Sequence, residues 1–260
     1  MILHLNPKNE LFSVGNLTIT MYGLLLALGM AVGLIMTCVL AKKRKIKSDD
    51  IIVLALYVFP LAILGARIYY CIFYFEDNSF SQFFKFTDGG LAVIGSIIGG
   101  AIGGLLYSLI HKKNFLSLFD MVVAGLALGQ AIGRIGCFFA GCCFGEVVTN
   151  ESLQIFPISV QIDGVWHYAT FFYESVWNLI GFALLIFVYN RTKSIGTPTA
   201  TYLLWYGIGR SLIEGIRGDS LYIGSSDIRI SQVLSIIMIV CGAGILIYNF
   251  IKSRKEKKNG

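Results

Sequence analysis

An apolar segment near the C-terminus carries charged side chains at helical spacing. Arg210, Glu214 and Arg217 stand at i, i+4 and i+7, so they share one helix face, which Tyr206 extends by a further turn. A charge inside a membrane-length apolar segment is costly unless it has a partner or a function. This face is either a structural ion pair that joins two helices or an anion site. In the anion site, Glu214 would orient one arginine and leave its planar fork free for phosphate oxygens.

A second arginine lies among closely spaced glycines. The glycines around Arg134 are Gly133, Gly136, Gly141 and Gly145. They predict irregular backbone, which is tolerated at membrane depth only where it is buried or lines a cavity, and we expect Arg134 to contact an anion there. Arg67, near the end of an earlier apolar segment, either joins this site or extends to the membrane interface beside its aromatic neighbours. Three basic groups from separate helices predict a phospholipid head group as the ligand.

Three cysteines follow Arg134. Cys137 and Cys142 could pair as a disulfide or pack without a bond, because connectivity cannot be deduced from sequence, and Cys143 adjoins them. No histidine or acidic residue stands at ligand spacing within this cluster, so the sequence predicts no metal site. Nothing in the chain indicates a cofactor either.

The elements that position these residues are membrane helices. The chain has 260 residues, of which 56% are hydrophobic and 14% charged. So much apolar residue excludes disorder, and the net charge of +6 is not clustered as in a nucleic-acid-binding domain. Crossing a bilayer takes about 20 apolar residues of helix. We therefore predict an all-α membrane protein with seven transmembrane helices, at 18–41, 50–74, 91–110, 118–139, 170–189, 198–216 and 230–251.

Basic residues predict the orientation of these spans. The segments after spans one, three, five and seven carry 14 of the 21 Lys and Arg. The positive-inside rule then places the N-terminus outside and the C-terminus in the cytoplasm. The domain organisation that follows is an outer arm at 1–17, the membrane domain at 18–251 with an extracytoplasmic segment at about 140–169, and a basic cytoplasmic tail at 252–260. Residues 158–162 of the outer segment are strand-like.

Glycines at four-residue spacing line two of the spans. They are Gly95, Gly99 and Gly103 in span three, and Gly125, Gly129 and Gly133 in span four. Such spacing permits close approach of helix backbones. The sequence does not decide between plain helix packing and a groove that admits a lipid chain.

Six motifs in order along the chain resemble the prolipoprotein diacylglyceryl transferase family. They are Gly65-x-Arg67 with Phe73-Tyr74, Gly89-Gly-Leu-Ala, Gly133-Arg-Ile-Gly-x-Phe with Gly141 and Gly145, His167-Tyr-Ala-Thr-Phe-Phe-Tyr-Glu174, Tyr206-Gly207, and Arg210-x-x-x-Glu214. The match extends from Tyr22-Gly23 to Ile230-Ser-Gln232 and so covers nearly the whole chain. The family's signature arginine corresponds to Arg134, and its functional tyrosine of the first span corresponds to Tyr22.

The resemblance implies a multi-pass enzyme of the bacterial plasma membrane that acts in lipoprotein biosynthesis. Such an enzyme moves the diacylglyceryl group of phosphatidylglycerol to the lipobox cysteine of a preprolipoprotein, without a cofactor and without nucleic acid as a partner. The expected catalytic residues are Arg134, Arg210, Glu214, Tyr22 and His167. The expected substrate-binding residues are Arg134, Arg67, Tyr206, Gly136 and Gly145.

Departures from the family pattern leave the general base open. Ile94 stands where the family often has histidine, Cys137 where it has asparagine and Cys142 where an acidic residue is common. Tyr22 and His167 are the remaining candidates for the base, although His167 is equally compatible with a structural role. Two alternatives to the enzyme stay open: a non-catalytic relative that binds phospholipid or lipoprotein, and a membrane thiol-redox protein.

Overall fold

The computed structural model describes residues 9–14, 17–74, 92–218 and 229–259. These residues form seven long helices: α1 Met21–Lys43, α2 Ser48–Tyr74, α3 Val93–Ile110, α4 Phe115–Ala140, α5 Thr170–Arg191, α6 Thr197–Glu214 and α7 Ile230–Asn259. Four short strands are β1 Glu10–Val14, β2 Leu17–Thr20, β3 Ser159–Ile162 and β4 Val165–Tyr168. The first eight residues of the expected outer arm and the Gly89-Gly90 pair lie outside the described residues.

Six of these helices, α1 to α5 and α7, are long and apolar enough to cross a membrane. The chain is therefore a multi-pass helical membrane protein. The sixth predicted span coincides with α6, which is helical but carries Arg210 and Glu214 within 18 residues. Its membrane crossing, like the orientation of the termini, stays a prediction. The all-α description is incomplete, because two antiparallel hairpins accompany the helices.

Glycine contacts hold α1 against α4 in the first of two compact units, which consists of residues 1–36 and 119–260. A Cβ added at Gly29 would lie 2.7 Å from the carbonyl oxygen of Gly129, and one added at Gly33 would lie 2.6 Å from that of Gly125. A side chain at either position would force the two backbones apart. The close packing predicted from the glycine spacing is confirmed for this pair of helices.

Two tryptophans join α5 to α6. The Trp177 and Trp205 rings stack with centroids 4.4 Å apart, and each indole Nε1 donates to the other residue's carbonyl at 3.0 and 2.9 Å. Both indole donors are thus satisfied in an apolar setting. A Cβ added at Gly209 would lie 2.1 Å from the Trp177 Nε1, so the glycine makes room for this pair.

A buried carboxylate fixes the start of α6. Asp120 of α4 is fully buried and accepts hydrogen bonds from the backbone N–H of Gly196 at 2.8 Å and of Thr199 at 3.0 Å. The Thr199 hydroxyl donates to the same carboxylate at 2.7 Å. These contacts satisfy donors that a helix N-terminus otherwise leaves unpaired, so they set where α6 begins relative to α4.

Both hairpins lie in the first unit. β1 pairs with β2, and Asn9 beside them accepts from the backbone N–H of Tyr22 at the start of α1. β3 pairs with β4 in an unbroken register that sets Val160 opposite His167. The strand predicted at 158–162 is confirmed as Ser159–Ile162.

The second unit, residues 37–118, contains α2 and α3. Glycine again permits close contact, since a Cβ at Gly95 would lie 2.2 Å from the carbonyl oxygen of Gly65 and one at Gly99 would lie 2.0 Å from that of Leu61. Arg67 is 2% exposed, and its guanidinium carbon lies 5.7 Å from the centre of the Tyr70 ring. Arg67 is therefore buried rather than extended to the surface.

Candidate functional site

The centre of the charged site is Glu174, in the second turn of α5. Its carboxylate receives Arg134 of α4, whose Nε lies 2.6 Å from Oε2, and Arg210 of α6, whose Nη1 lies 2.7 Å from Oε1. Arg217 follows at 3.6 Å from Oε1. The Glu174 side chain is only 5% exposed. One buried carboxylate thus joins arginines that are far apart in the sequence.

Glu214 is the second carboxylate of the site. Its side chain is 1% exposed, and its Oε2 lies 2.7 Å from Nη2 of Arg210 and 4.0 Å from Nε of Arg217. The Arg210 Nη2 also donates to the Ser231 hydroxyl at 3.1 Å, and Arg229 donates to the Glu214 carbonyl. Arg210 is not an arginine whose fork Glu214 leaves free, as the anion-site alternative required of one arginine, because both terminal nitrogens of Arg210 have carboxylate partners.

The site has an excess of positive charge. Three guanidiniums, of Arg134, Arg210 and Arg217, face two carboxylates, of Glu174 and Glu214. Arg229 adds a fourth guanidinium at the Glu214 carbonyl, so these arginines outnumber the carboxylates by two. The carboxylates are almost fully buried, whereas the side chains of Arg134, Arg210 and Arg217 keep 22%, 14% and 9% of their surface exposed. The cluster carries net positive charge, and its arginine donors are its most accessible groups. It is therefore arranged to bind an anion.

A short β-like segment connects this cluster to the β3–β4 hairpin. The Gly145 N–H donates to the Tyr168 carbonyl at 2.8 Å, and the next residue, Glu146, donates to the Ile216 carbonyl at 3.0 Å. A Cβ at Gly145 would lie 2.7 Å from that Ile216 oxygen and 2.7 Å from the Tyr168 Cβ. Gly145 is therefore packed between Tyr168 and Ile216, and it forms an isolated β-bridge with Arg217.

His167 lies on the other side of this segment. Its Nδ1 lies 3.0 Å from the Gly145 carbonyl oxygen, and its ring is 4.7 Å from that of Phe144. A carbonyl can only accept, so Nδ1 must carry the proton. In the neutral ring the lone pair is then on Nε2. His167 is held in the tautomer that can accept a proton at Nε2.

Tyr22 and Gly136 meet where α1 passes α4. A Cβ at Gly136 would lie 3.1 Å from the Cδ2 of Tyr22, whose residue surface is 36% exposed. The expectation of irregular backbone around Arg134 is wrong for Gly133 and Gly136, since α4 continues as regular helix to Ala140. The glycines there permit close contact with α1 instead, and left-handed backbone first occurs at Gly141, with φ of 61°.

The remaining expected site residues are Tyr206 and Arg67. Tyr206 stacks on Tyr202 with ring centres 5.7 Å apart, one turn before Arg210, and the Tyr202 hydroxyl donates to the Gln130 side chain at 3.1 Å. Arg67 belongs to the second unit described above. The structure thus brings together Arg134, Arg210 and Glu214, with His167 and Gly145 linked to them through backbone pairing.

The three cysteines fold back on one another at the end of α4. The Gly141 N–H donates to the Phe138 carbonyl and the Cys142 N–H to the Cys137 carbonyl, at 3.3 and 3.0 Å. This is the Schellman arrangement, in which the residue after the left-handed glycine contacts the residue five positions earlier. All three Sγ atoms lie within 4.8 Å of one another, and in the described residues the cysteines are not disulfide-bonded.

Arginines and neighbouring thiols surround the Cys143 sulfur. Nη1 of Arg134 donates to it at 3.1 Å and Nη2 of Arg217 at 3.6 Å. Hydrogen bonds from the Cys137 and Cys142 thiols lower the pKa of Cys143 below its ordinary value, and the two guanidiniums act in the same direction. The pKa of Cys142 is raised, because its thiol donates within the cluster. These groups favour a thiolate at Cys143.

Two features of the site were not predicted from the sequence. The first is the role of Glu174. The sequence does contain a signal for it, because Glu174 is the one acidic residue of the apolar segment 170–189. The convergence of the cysteines on Arg134 and Arg217 is the other. Spacing alone does not reveal it, because it depends on the left-handed turn at Gly141 and Cys143.

Comparisons with known proteins agree with the architecture. The family model described as prolipoprotein diacylglyceryl transferase matches residues 9–248. A phosphatidylglycerol-prolipoprotein diacylglyceryl transferase of Clostridium botulinum (strain Loch Maree / Type A3) is 40% identical over 251 residues, which cover 94% of this chain and 98% of the relative. One of Clostridium kluyveri is 39% identical over 252 residues, with coverage of 95% and 97%.

Proposed function

Because this chain belongs to the prolipoprotein diacylglyceryl transferase family, we propose that it transfers the diacylglyceryl group of phosphatidylglycerol to the lipobox cysteine of preprolipoproteins. This is the activity in the names of its relatives, which match almost end to end. The observation that carries the proposal within the structure is the convergence of three arginines on two buried carboxylates. The arginines supply the fixed positive charge that stabilises a departing phosphate.

The phosphate of the lipid head group binds at the exposed edge of the arginine cluster. Arg134 and Arg210 are more exposed than Arg217, and Glu174 and Glu214 hold their guanidiniums in place. The positive charge of the cluster is reduced when one phosphate arrives. In the transition state the C–O bond to phosphate breaks and negative charge grows on the departing glycerol phosphate. Fixed donors in a poorly solvated site stabilise that charge without reorganising.

The acceptor must attack as a thiolate, since the thiol itself is a weak nucleophile. Its sulfur forms a bond to the glyceryl carbon as the bond from that carbon to phosphate breaks. His167 supports proton removal through the tautomer fixed by the Gly145 carbonyl, which leaves Nε2 as an acceptor. Tyr22 beside Gly136 and Tyr206 one turn before Arg210 line the approach to the arginines. Arg67 is a further substrate-binding residue of this proposal.

The protein lies in the bacterial plasma membrane with seven spans, its N-terminus outside and its C-terminus in the cytoplasm. α6 completes the set of seven membrane spans. Both of its charged residues have ion-pair partners, which lowers the cost of placing them in the membrane. The basic residues after α1, α3, α5 and within α7 support the orientation. A C-terminal fluorescent-protein fusion is expected to be bright and a C-terminal alkaline phosphatase fusion inactive; an active phosphatase would reject this topology.

The central test is a transfer assay with purified protein, phosphatidylglycerol and a lipobox peptide, read by peptide mass. We expect a gain of one diacylglyceryl unit on the cysteine. Arg134→Ala should slow transfer by about 100- to 1000-fold, the usual cost of removing one donor to a developing anion. Arg191→Ala is the matched control, because Arg191 is exposed at the end of α5 against Phe187. It should react like wild type.

Two results would contradict the proposal. Folded Arg134→Ala protein that transfers at the wild-type rate would remove this arginine from the phosphate site. Folded wild-type protein that binds the lipid but adds no mass to the peptide would favour the non-catalytic relative that the absent family histidine at Ile94 suggests.

A further inference from the structure

The three-cysteine cluster has no part in the phosphate chemistry described above. Cys137, Cys142 and Cys143 nevertheless bring their sulfurs within 4.8 Å of one another. The backbone is shaped to do so, since Gly141 and Cys143 both take left-handed conformations, at φ of 61° and 58°. Such a conformation is uncommon for a residue with a Cβ. The Thr170 hydroxyl secures it by donating to the Cys143 carbonyl at 2.7 Å.

The spacing of the sulfurs suits a small thiophilic cation. Zinc binds thiolates at about 2.3 Å in a tetrahedron, which sets its sulfur ligands about 3.8 Å apart. The sulfurs would therefore close by about 1 Å or less to reach that geometry. Cys137 is buried, whereas Cys142 and Cys143 are only half-buried, so one side of the cluster remains accessible. Three protein ligands with an open fourth position are the pattern of catalytic rather than structural zinc.

The surroundings compensate the charge of such a centre. Three thiolates with Zn²⁺ carry one net negative charge. Arg134 and Arg217 already donate to the Cys143 sulfur, at 3.1 and 3.6 Å. Hydrogen bonds to a coordinating atom from outside the first ligand set orient the ligand and tune the metal. On the opposite side the cluster packs against Val160 and Phe171, which limits access of water.

We propose that Cys137, Cys142 and Cys143 bind Zn²⁺ and that the fourth position of the metal receives the thiol of the acceptor cysteine. This site departs from the sequence-based expectation of no metal. Its second half rests on the proposed function, because it assumes that a cysteine peptide is the acceptor. It supplies a way to form the thiolate in a chain that has Ile94 where its family often has histidine.

The reaction balances as a substitution. A thiol that coordinates zinc loses its proton, which passes to solvent. The bound sulfur then forms the S–C bond to the glyceryl carbon. The electron pair of the breaking C–O bond leaves with glycerol phosphate, next to Arg134, whose guanidinium contacts both the cysteine cluster and Glu174. No oxidant or reductant is needed.

The first experiment uses the full chain in lipid nanodiscs, purified without chelator. Elemental analysis should find about one zinc per chain. Replacement of zinc by Co²⁺ should give thiolate-to-cobalt charge-transfer absorption and the visible bands of a tetrahedral site. Cys143→Ser should weaken binding by more than the roughly 10- to 100-fold that loss of an outer-shell partner costs. Cys241→Ser is the control, since that exposed thiol lies in α7, and it should leave metal binding unchanged.

The second experiment adds acceptor peptide to the cobalt protein. A lipobox peptide should strengthen the charge-transfer band, and the same peptide with Ser in place of its cysteine should not. Absence of zinc together with absence of a thiolate-to-cobalt band at saturating Co²⁺ would overturn the site. A band that ignores the cysteine peptide, or full transfer by protein stripped of metal, would overturn the open fourth position. A band that responds to the peptide without any transfer from phosphatidylglycerol would leave the site standing and reject the proposed function.

Discussion

Glu174→Gln is the sharpest test of how the charged site is held together. In the wild type Arg134 and Arg210 contact separate oxygens of Glu174, at 2.6 and 2.7 Å, and Arg217 lies 3.6 Å away. Glutamine keeps the shape of the side chain but replaces one oxygen by an amide nitrogen. One arginine then meets a donor instead of an acceptor. Glu214 becomes the one carboxylate left to the three guanidiniums described in this cluster.

The cost follows from burial. The Glu174 side chain is 5% exposed, so solvent screens its contacts weakly. Removing one partner of a buried ion pair costs about 3–5 kcal/mol, mainly because the remaining charge is left uncompensated. Each kcal/mol lowers the Tm by about 2–4 °C at this chain size, which gives an expected decrease of about 6–20 °C. Transfer should fall by about 100-fold as well, since Arg134 and Arg210 lose the group that orients them.

The measurement is thermal unfolding in detergent, followed by the transfer assay well below the Tm. Glu151→Gln is the matched control, because Glu151 is exposed in the short 3-10 helix at Glu151–Leu153. Its stability should change by less than about 0.5 kcal/mol. If Glu174→Gln melted within about 2 °C of wild type, the carboxylate could not be the electrostatic centre of the site.

Two further predictions concern the packing that places α6. Asp120→Ala removes the acceptor for three donors at the start of α6 and should cost about 2–4 kcal/mol in unfolding free energy. Asp163→Ala, in the exposed hairpin turn, is the control and should cost less. Equal effects would show that the buried carboxylate does not anchor the helix. Gly209→Ala sets a methyl group 2.1 Å from the Trp177 Nε1 and should lower both the Tm and the rate of transfer. Gly244→Ala is the control, because a Cβ there meets nothing within 4 Å, and it should change neither quantity.

The membrane character and the approximate positions of the helices follow from the sequence alone. An apolar run of about 20 residues can satisfy its backbone in lipid only as a helix, so hydropathy and helix position are tied directly. Predicted span 118–139 is observed as Phe115–Ala140, and span 170–189 as Thr170–Arg191. The same local reasoning predicts that Arg134, Arg210 and Glu214 are charges within the membrane that require partners.

Which partners they find is decided by the tertiary structure. Glu174 lies 36 residues from Arg210 and 40 from Arg134 along the chain, and no periodic pattern connects positions on separate helices. The sequence leaves open whether Glu214 joins two helices through an ion pair or leaves an arginine fork free, because i and i+4 spacing describes one helix only. The structure shows that α5 inserts a second carboxylate between α4 and α6.

The cysteine cluster shows the same division. The sequence determines that three thiols lie close to Arg134, but whether they diverge or converge depends on two left-handed residues and on the contacts of Thr170. Glycine spacing likewise predicts close helix approach without naming the helices that meet. Hydropathy, helix periodicity and charge are local properties and can be read from the chain. The identity of a neighbour across a helix interface depends on how all of the helices pack at once, and only the folded structure determines it.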